Sequence, residues 1–159
     1  MSTEYTKDVI RDLVAGRLPW EMVKNMMSNP KDKNRLKLLL EIEQERVPWD
    51  EKIILPLAEH LYIVEKGGTH IVKATCGYEF GDYRDNWKEK AIIYVRDTLE
   101  SLREIYVGPR AGDPEKMVLR EFYCPECGEL LEVDAVAPGY PILNKFIPDL
   151  ETLYNEWLD

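Results

Sequence analysis

The sequence has 159 residues, which is enough for one domain, or for one domain with a helical extension. Hydrophobic residues make up 45% of it, enough to bury a core, and no run of about 18 apolar residues predicts a membrane span. The polar, acidic N-terminus does not have the pattern of a signal peptide. These features exclude a transmembrane protein and predict a globular protein of the cytoplasm.

The net charge of −9 is unevenly distributed along the chain. From Glu121 onwards there are nine acidic residues and one basic residue, Lys145. A nucleic-acid-binding surface needs the opposite charge, because it must neutralise phosphates. We therefore expect neither nucleic acid nor membrane among the partners.

Residues 1–47 predict three short helices. Apolar residues recur at helical spacing in the first, Pro19 begins the second, and the third runs from about Lys31 to Glu45. Helices this short have too small a core to be stable alone. The segment is therefore either a helical cap on the same domain or an arm that docks on a partner. The docking residues would be Met22, Met26, Met27 and the tryptophans.

Residues 48–159 predict an antiparallel β domain that ends in a helix. The apolar period changes after residues 47–50, and Gly67-Gly68 marks a hairpin turn. Thr98 is the predicted N-cap of a short helix that ends near Tyr106. The predicted extended segments are 53–57, 61–64, 71–75, 91–95, 117–123 and 130–133, and the last helix covers 149–158. The predicted fold class is α+β: an N-terminal helical segment, a zinc-ribbon-like antiparallel β domain and a C-terminal helix.

Cys124-Pro125-Glu126-Cys127-Gly128 has the pattern of a zinc knuckle. The proline fixes φ and the glycine permits a left-handed turn, so both thiolates can face one ion. Apolar segments on both sides place this motif at the tip of a β-hairpin. The third cysteine, Cys76, lies in a Cys-Gly pair after a predicted strand, and it is the expected second half of the site.

The three cysteines leave one position of a four-coordinate zinc site to be filled. The candidates are His70, Glu79, Asp82 and water. His70 precedes Cys76 by six residues, about 20 Å along a straight strand. Asp82 follows Cys76 across a turn and can fold back towards it. We therefore predict zinc on Cys76, Cys124, Cys127 and Asp82, with His70 as the alternative fourth ligand.

The predicted metal has a structural role. Three thiolates weaken zinc as a Lewis acid towards bound water. No serine or cysteine is patterned as a nucleophile beside His60 or His70, and neither a phosphate loop nor a dinucleotide fingerprint occurs. We therefore expect no catalytic residue and no organic cofactor site in this chain. Segment 83–88 is rich in Tyr, Arg and Trp, which is typical of interface hot spots, although a solvated loop is the alternative.

Several longer sequence motifs are similar to those of a known family. They are Pro48 to Leu57, Cys76 to Phe80, Asp85 to Lys88, Val95 to Thr98, Arg120 to Gly128 and Glu156 to Leu158. Together they resemble the small zinc-binding subunit of the acetone carboxylase family, which also includes acetophenone carboxylase.

The resemblance implies a subunit of a biotin-independent, multi-subunit carboxylase. Such enzymes join bicarbonate to a methyl ketone at the expense of ATP and give a β-keto acid. Larger hydantoinase-like subunits use the ATP and the bicarbonate, and the small subunit holds structural zinc among them. The alternative is a free-standing zinc-ribbon interaction module.

This sequence also departs from the acetone-type pattern. That pattern has C-x-C-G at the first knuckle, where this chain has Ala74-Thr75-Cys76-Gly77, and Gly81 stands where a further cysteine is common. The fourth ligand therefore cannot be taken from the family. The departures lead us to expect a divergent member, of the acetophenone type.

Overall fold

The computed structural model describes residues 4–157. The chain divides into two compact units: the residues up to Ile53 with the segment from Pro148, and residues 54–147. The fold is α+β with antiparallel strands, as the sequence predicts, and the strands form one four-stranded and one three-stranded sheet. The predicted division into residues 1–47 and 48–159 stays a prediction, and the C-terminal segment groups with the helices.

The N-terminal helices are α1 (Lys7–Val14), α2 (Trp20–Ser28) and α3 (Arg35–Arg46). Thr6 caps α1 by accepting a hydrogen bond from the backbone N–H of Val9. Helix α3 begins later than the predicted Lys31. The reason is Asp32, whose carboxylate accepts hydrogen bonds from the backbone N–H groups of Tyr5 and Asn34 and so holds a turn before the helix.

The first sheet contains four strands in the order β1-β2-β3-β4. They are β1 (Ile53–Ala58), β2 (Leu61–Lys66), β3 (Thr69–Ala74) and β4 (Glu79–Asp82). Gly67 and Gly68 both have positive φ, at 57° and 78°, which a two-residue hairpin turn of this hand requires. The predicted hairpin is therefore confirmed.

The second sheet has the order β5-β6-β7. Its strands are β5 (Ile92–Arg96), β6 (Val118–Tyr123) and β7 (Leu130–Val136), and helix α4 (Leu99–Arg103) follows β5. Thr98 is the N-cap of α4 and forms a capping box with Ser101, which confirms the predicted start. The helix ends before the predicted Tyr106.

One hydrophobic core joins the two sheets within residues 54–147. Trp87 lies at its centre, with ring centroids 5.7 Å from Phe80 and 6.1 Å from Phe122. Cys124 is fully buried in the same core. Trp87 is only 5% exposed, so it packs inside the protein and is not available as an interface residue.

The C-terminal helix matches its prediction in part. Asp149 caps helix α5 (Leu150–Thr152), and a π-helical turn, Leu153–Trp157, continues it. The predicted last residue of this helix, Leu158, lies outside the described residues. Among residues 4–157, no helix has the length and apolar character needed to cross a membrane.

Candidate metal centre

The sulfur of Cys76 meets those of Cys124 and Cys127, which lie about 50 residues later in the sequence. The Sγ atoms of Cys76, Cys124 and Cys127 all lie within 4.8 Å of one another, and those of Cys76 and Cys124 are 3.6 Å apart. In a tetrahedral site with zinc–sulfur bonds of about 2.3 Å, neighbouring sulfurs are about 3.8 Å apart. The cluster therefore has the dimensions of three corners of a zinc site.

The turn between β6 and β7 holds two of these sulfurs. The N–H of Gly128 donates to the C=O of Cys124 at 2.9 Å, and the N–H of Cys124 donates to the C=O of Glu129 at 2.9 Å. Gly128 has a φ of 73°, the left-handed conformation predicted for a knuckle. This geometry places Cys124 in the core and leaves Cys127 exposed beside it.

The turn between β3 and β4 repeats this pattern with one residue fewer. The N–H of Gly77 donates to the C=O of Ala74 at 2.9 Å, and the N–H of Ala74 donates to the C=O of Tyr78 at 2.8 Å. Gly77 has a φ of 107°. Ala74 therefore occupies the place that Cys124 has in the other turn, so a methyl group stands where the second turn has a thiol.

The environment shifts the pKa values of Cys76 and Cys127 in opposite directions. Desolvation of the Cys76 sulfur, opposed by the backbone N–H of Tyr78, raises its pKa to about 12. The backbone N–H of Glu129 instead holds the pKa of Cys127 below its ordinary value. A divalent cation at the cluster would favour the thiolate form of all three, so metal binding there would release protons.

Asp82, the predicted fourth ligand, is bound elsewhere. Its carboxylate accepts hydrogen bonds from the guanidinium of Arg84 at 2.8 and 2.6 Å and from the backbone N–H of the same residue at 2.9 Å. These bonds hold the pKa of Asp82 well below its usual range. Asp82 is not one of the residues grouped at the cysteine cluster, and its role as a ligand stays a prediction.

The other two candidates also have partners of their own. The His70 ring lies edge-on to Tyr83, with the centroids 6.0 Å apart. The Glu79 carboxylate accepts a hydrogen bond from Lys66 Nζ at 2.5 Å. The structure therefore brings the three cysteines together, but groups neither His70 nor Glu79 with them.

His60 is the residue beside the cluster that sequence reasoning missed. Its Nε2 lies 3.3 Å from Oε1 of Glu129, and its C=O accepts a hydrogen bond from the N–H of Thr75 at 3.1 Å. It lies in the turn between β1 and β2, 16 residues before Cys76. No local spacing connects it to a cysteine, so only the pairing of β2 with β3 reveals the proximity.

Comparison with known proteins places the whole chain in one family. Residues 47–158 match the model of the acetone carboxylase gamma subunit family. The acetone carboxylase gamma subunit of Xanthobacter autotrophicus is 46% identical over 156 residues, which cover 97% of this chain and 93% of the relative. The acetophenone carboxylase beta subunit of Aromatoleum aromaticum is 25% identical over 111 residues, which cover 69% of this chain and 79% of the relative.

These similarities define the class first: the chain resembles subunits of ketone carboxylases and not a free-standing module. It belongs to the acetone carboxylase gamma subunit family. The family resemblance inferred from the sequence motifs is therefore confirmed. The expectation of an acetophenone-type member is not supported, because identity to the acetone-type relative is 46% against 25% for the acetophenone-type one.

Proposed function

We propose that this chain is the small, non-catalytic subunit of a biotin-independent, ATP-dependent carboxylase that joins bicarbonate to acetone or a similar methyl ketone. The observation that carries the proposal is the extent of the 46% identity, which covers 97% of this chain and 93% of the relative. An alignment over nearly the whole length of both chains supports a shared subunit role more strongly than a match confined to the cysteine motif would. The product is a β-keto acid, and the enzyme is a cytoplasmic hetero-oligomer.

In this proposal, larger hydantoinase-like subunits use ATP and bicarbonate and activate the ketone. The placement of the two histidines supports the assignment of catalysis to those partners. His70 packs against Tyr83, and His60 is paired with Glu129, so neither is paired with a nucleophile.

Cys76, Cys124 and Cys127 hold structural zinc in this proposal. Zinc would join the turn of the first sheet to the turn of the second, as in a zinc ribbon. The support is the 3.6 Å separation of two sulfurs, together with the matching hydrogen bonds of the two turns. The residues present therefore fit three ligands of one ion.

The N-terminal helices provide the docking arm in this proposal. All residues of α2 are described, and none of them is buried. Trp20 is 65% exposed and Met27 is 66% exposed, and Met22 is also exposed. Large apolar side chains exposed together are typical of an interface, which favours the docking arm over the helical cap.

Reconstitution tests the proposal directly. The chain is co-expressed with the larger subunits of its carboxylase and passed over a sizing column, and ketone-dependent ATP hydrolysis and incorporation of labelled bicarbonate are then measured. We expect co-elution, and loss of carboxylation when this chain is omitted. A monomeric chain, together with larger subunits that carboxylate acetone equally well alone, would instead support a free-standing module.

A further inference from the structure

The cysteine cluster supplies three of the four ligands that a structural zinc site requires. The two cysteine-bearing turns cannot supply the fourth by symmetry, because Ala74 stands where the second turn has Cys124. The two turns therefore offer no fourth thiolate, and the remaining ligand is of another kind. This inference rests on the zinc site proposed above and names its missing member.

We infer that His60 is the fourth ligand, so that the site is Cys3His. The first observation is the position of its backbone. The C=O of His60 accepts a hydrogen bond from the N–H of Thr75 at 3.1 Å, which places His60 directly beside the residue that precedes Cys76. This hydrogen bond fixes the backbone of His60 next to the first cysteine turn.

The second observation is the direction of the His60 side chain. Its Nε2 lies 3.3 Å from Oε1 of Glu129. Glu129 belongs to the second cysteine turn, because its C=O accepts the N–H of Cys124 and its N–H bonds the sulfur of Cys127. The backbone of His60 is therefore bonded to the first cysteine turn, and its imidazole contacts the second.

The pair of His60 and Glu129 also has the composition of a metal-bound histidine and its supporting carboxylate. A histidine that binds metal through one ring nitrogen commonly donates the other N–H to a carboxylate, which fixes the ring and raises its basicity. Here Nε2 faces the carboxylate, which assigns Nδ1 to the ion. The group within 4.8 Å comprises the three sulfurs alone, so the ring nitrogens of His60 lie outside it, and the inference requires the ring to turn towards the sulfurs when metal binds.

Electrostatic stabilisation of the fold does not account for this pair. The side chains of His60 and Glu129 are 31% and 51% exposed, and pairs with this exposure contribute little to stability. The charge of the cluster also favours imidazole over a carboxylate. Three thiolates already exceed the charge of a divalent ion, and neutral imidazole adds no further negative charge.

The test uses the full chain loaded with zinc or with cobalt(II). X-ray absorption of the wild-type protein should fit three sulfurs near 2.3 Å and one nitrogen near 2.0 Å. His60→Ala should lower zinc affinity at least about 100-fold in competition with a chromophoric chelator, and Glu129→Gln about 10-fold. His70→Ala is the matched control, and we expect its affinity and cobalt spectrum to equal those of the wild type.

A gain-of-ligand variant keeps the test independent of folding defects. Ala74→Cys places a thiol where the first turn lacks one, so the double variant His60→Ala with Ala74→Cys should recover at least 10-fold of the lost affinity. Its cobalt spectrum should also gain sulfur-to-metal charge-transfer intensity, because a fourth thiolate has joined the site.

Three other results would overturn the inference, and each identifies a different alternative for the fourth ligand or for the site. If the wild type binds one zinc and His60→Ala has no effect, while Asp82→Asn or His70→Ala loses the metal, the ligand is one of those residues. If none of the three variants changes affinity and the absorption fit shows oxygen, solvent is the fourth ligand. If the wild type binds no metal at all, the proposed zinc site itself fails together with its fourth ligand.

Discussion

The two compact units of the chain are stabilised in different ways. The β unit, residues 54–147, has a continuous core in which Trp87 contacts both Phe80 and Phe122. The helical unit contains α2, in which no residue is buried. An apolar cavity of about 380 Å³ in that unit is lined by side chains from all three N-terminal helices. The β unit therefore has a continuous buried core although it also exposes apolar side chains such as Ile92 and Val107, whereas α2 of the helical unit buries none of its residues.

The most buried ion pairs of the β unit also differ from the pair that joins α1 to α3. In the β unit, Lys88 Nζ lies 2.6 Å from Glu132 and 3.0 Å from Asp134, and its side chain is 2% exposed. In the helical unit, Lys7 Nζ lies 2.8 Å from Glu45, but these side chains are 32% and 52% exposed. Water and salt screen the second pair and not the first. The comparison indicates that a continuous core and buried charge partners hold the β unit together, whereas the exposed pair of the helical unit contributes little to stability.

The largest expected effect is on the cysteine cluster of the β unit. Cys124→Ser should abolish stoichiometric zinc and unfold residues 54–147, because the binding free energy of a structural zinc is also folding free energy. Elemental analysis and limited proteolysis measure the two effects. Cys127→Ser is the informative companion, since this residue is exposed. If Cys127→Ser keeps its zinc and its protease resistance, Cys127 is not a ligand, and the unfolding of Cys124→Ser reflects the packing of Cys124 in the core.

The buried lysine gives the next largest effect. Lys88→Met should lower the free energy of unfolding by about 3 kcal/mol, because Asp134 and Glu132 lose a buried partner. Urea denaturation measures the change. Lys116→Met, at an 83% exposed side chain of the same unit, is the control and should leave the midpoint unchanged. Equal midpoints for both variants would show that burial does not decide the strength of these pairs.

The pH dependence of the β unit tests the same network. Burial acts to raise the pKa of Asp134, but the hydrogen bonds from Lys145 and Lys88 outweigh it and hold this pKa below its usual value. The stabilisation is therefore complete above the unfolded pKa of about 3.9 and is lost as the pH falls through the lower folded pKa.

Asp134→Asn removes this titration. The stability difference between wild type and Asp134→Asn should be constant from pH 7 to 5 and should shrink below about pH 4. Urea midpoints at each pH measure it, and taking the difference cancels changes common to both proteins. A difference that grows in acid would mean that the folded protein raises this pKa.

The smallest effect on stability is expected on α2. Trp20→Ala and Met27→Ala should each change the free energy of unfolding by less than about 0.5 kcal/mol, since both side chains are exposed. Association with the larger carboxylase subunits should instead weaken, by about 30-fold if Trp20 is a hot spot. Denaturation and titration calorimetry give the two numbers. Unchanged association would indicate that α2 is part of a cap and not of a docking arm.

Local sequence chemistry determined much of the fold. The glycine pair at positions 67–68 predicts its hairpin because two successive positive φ angles exclude most other residues. Thr98 predicts the start of α4 because its hydroxyl accepts an unpaired helical N–H. The knuckle at Cys124 to Gly128 is equally local. Signals of this kind depend on neighbours within a few residues, and sequence displays those directly.

Only the tertiary structure decided the surroundings of the three cysteines. Asp82 follows Cys76 closely enough to be a candidate ligand, but Arg84, two residues further on, binds its carboxylate. His60 is 16 residues from Cys76, yet strand pairing brings its backbone beside Thr75. A metal site is closed by contacts between separate hairpins. The sequence by itself therefore pointed to the three cysteines and the family, and the packing of two sheets decided which residue stands beside them.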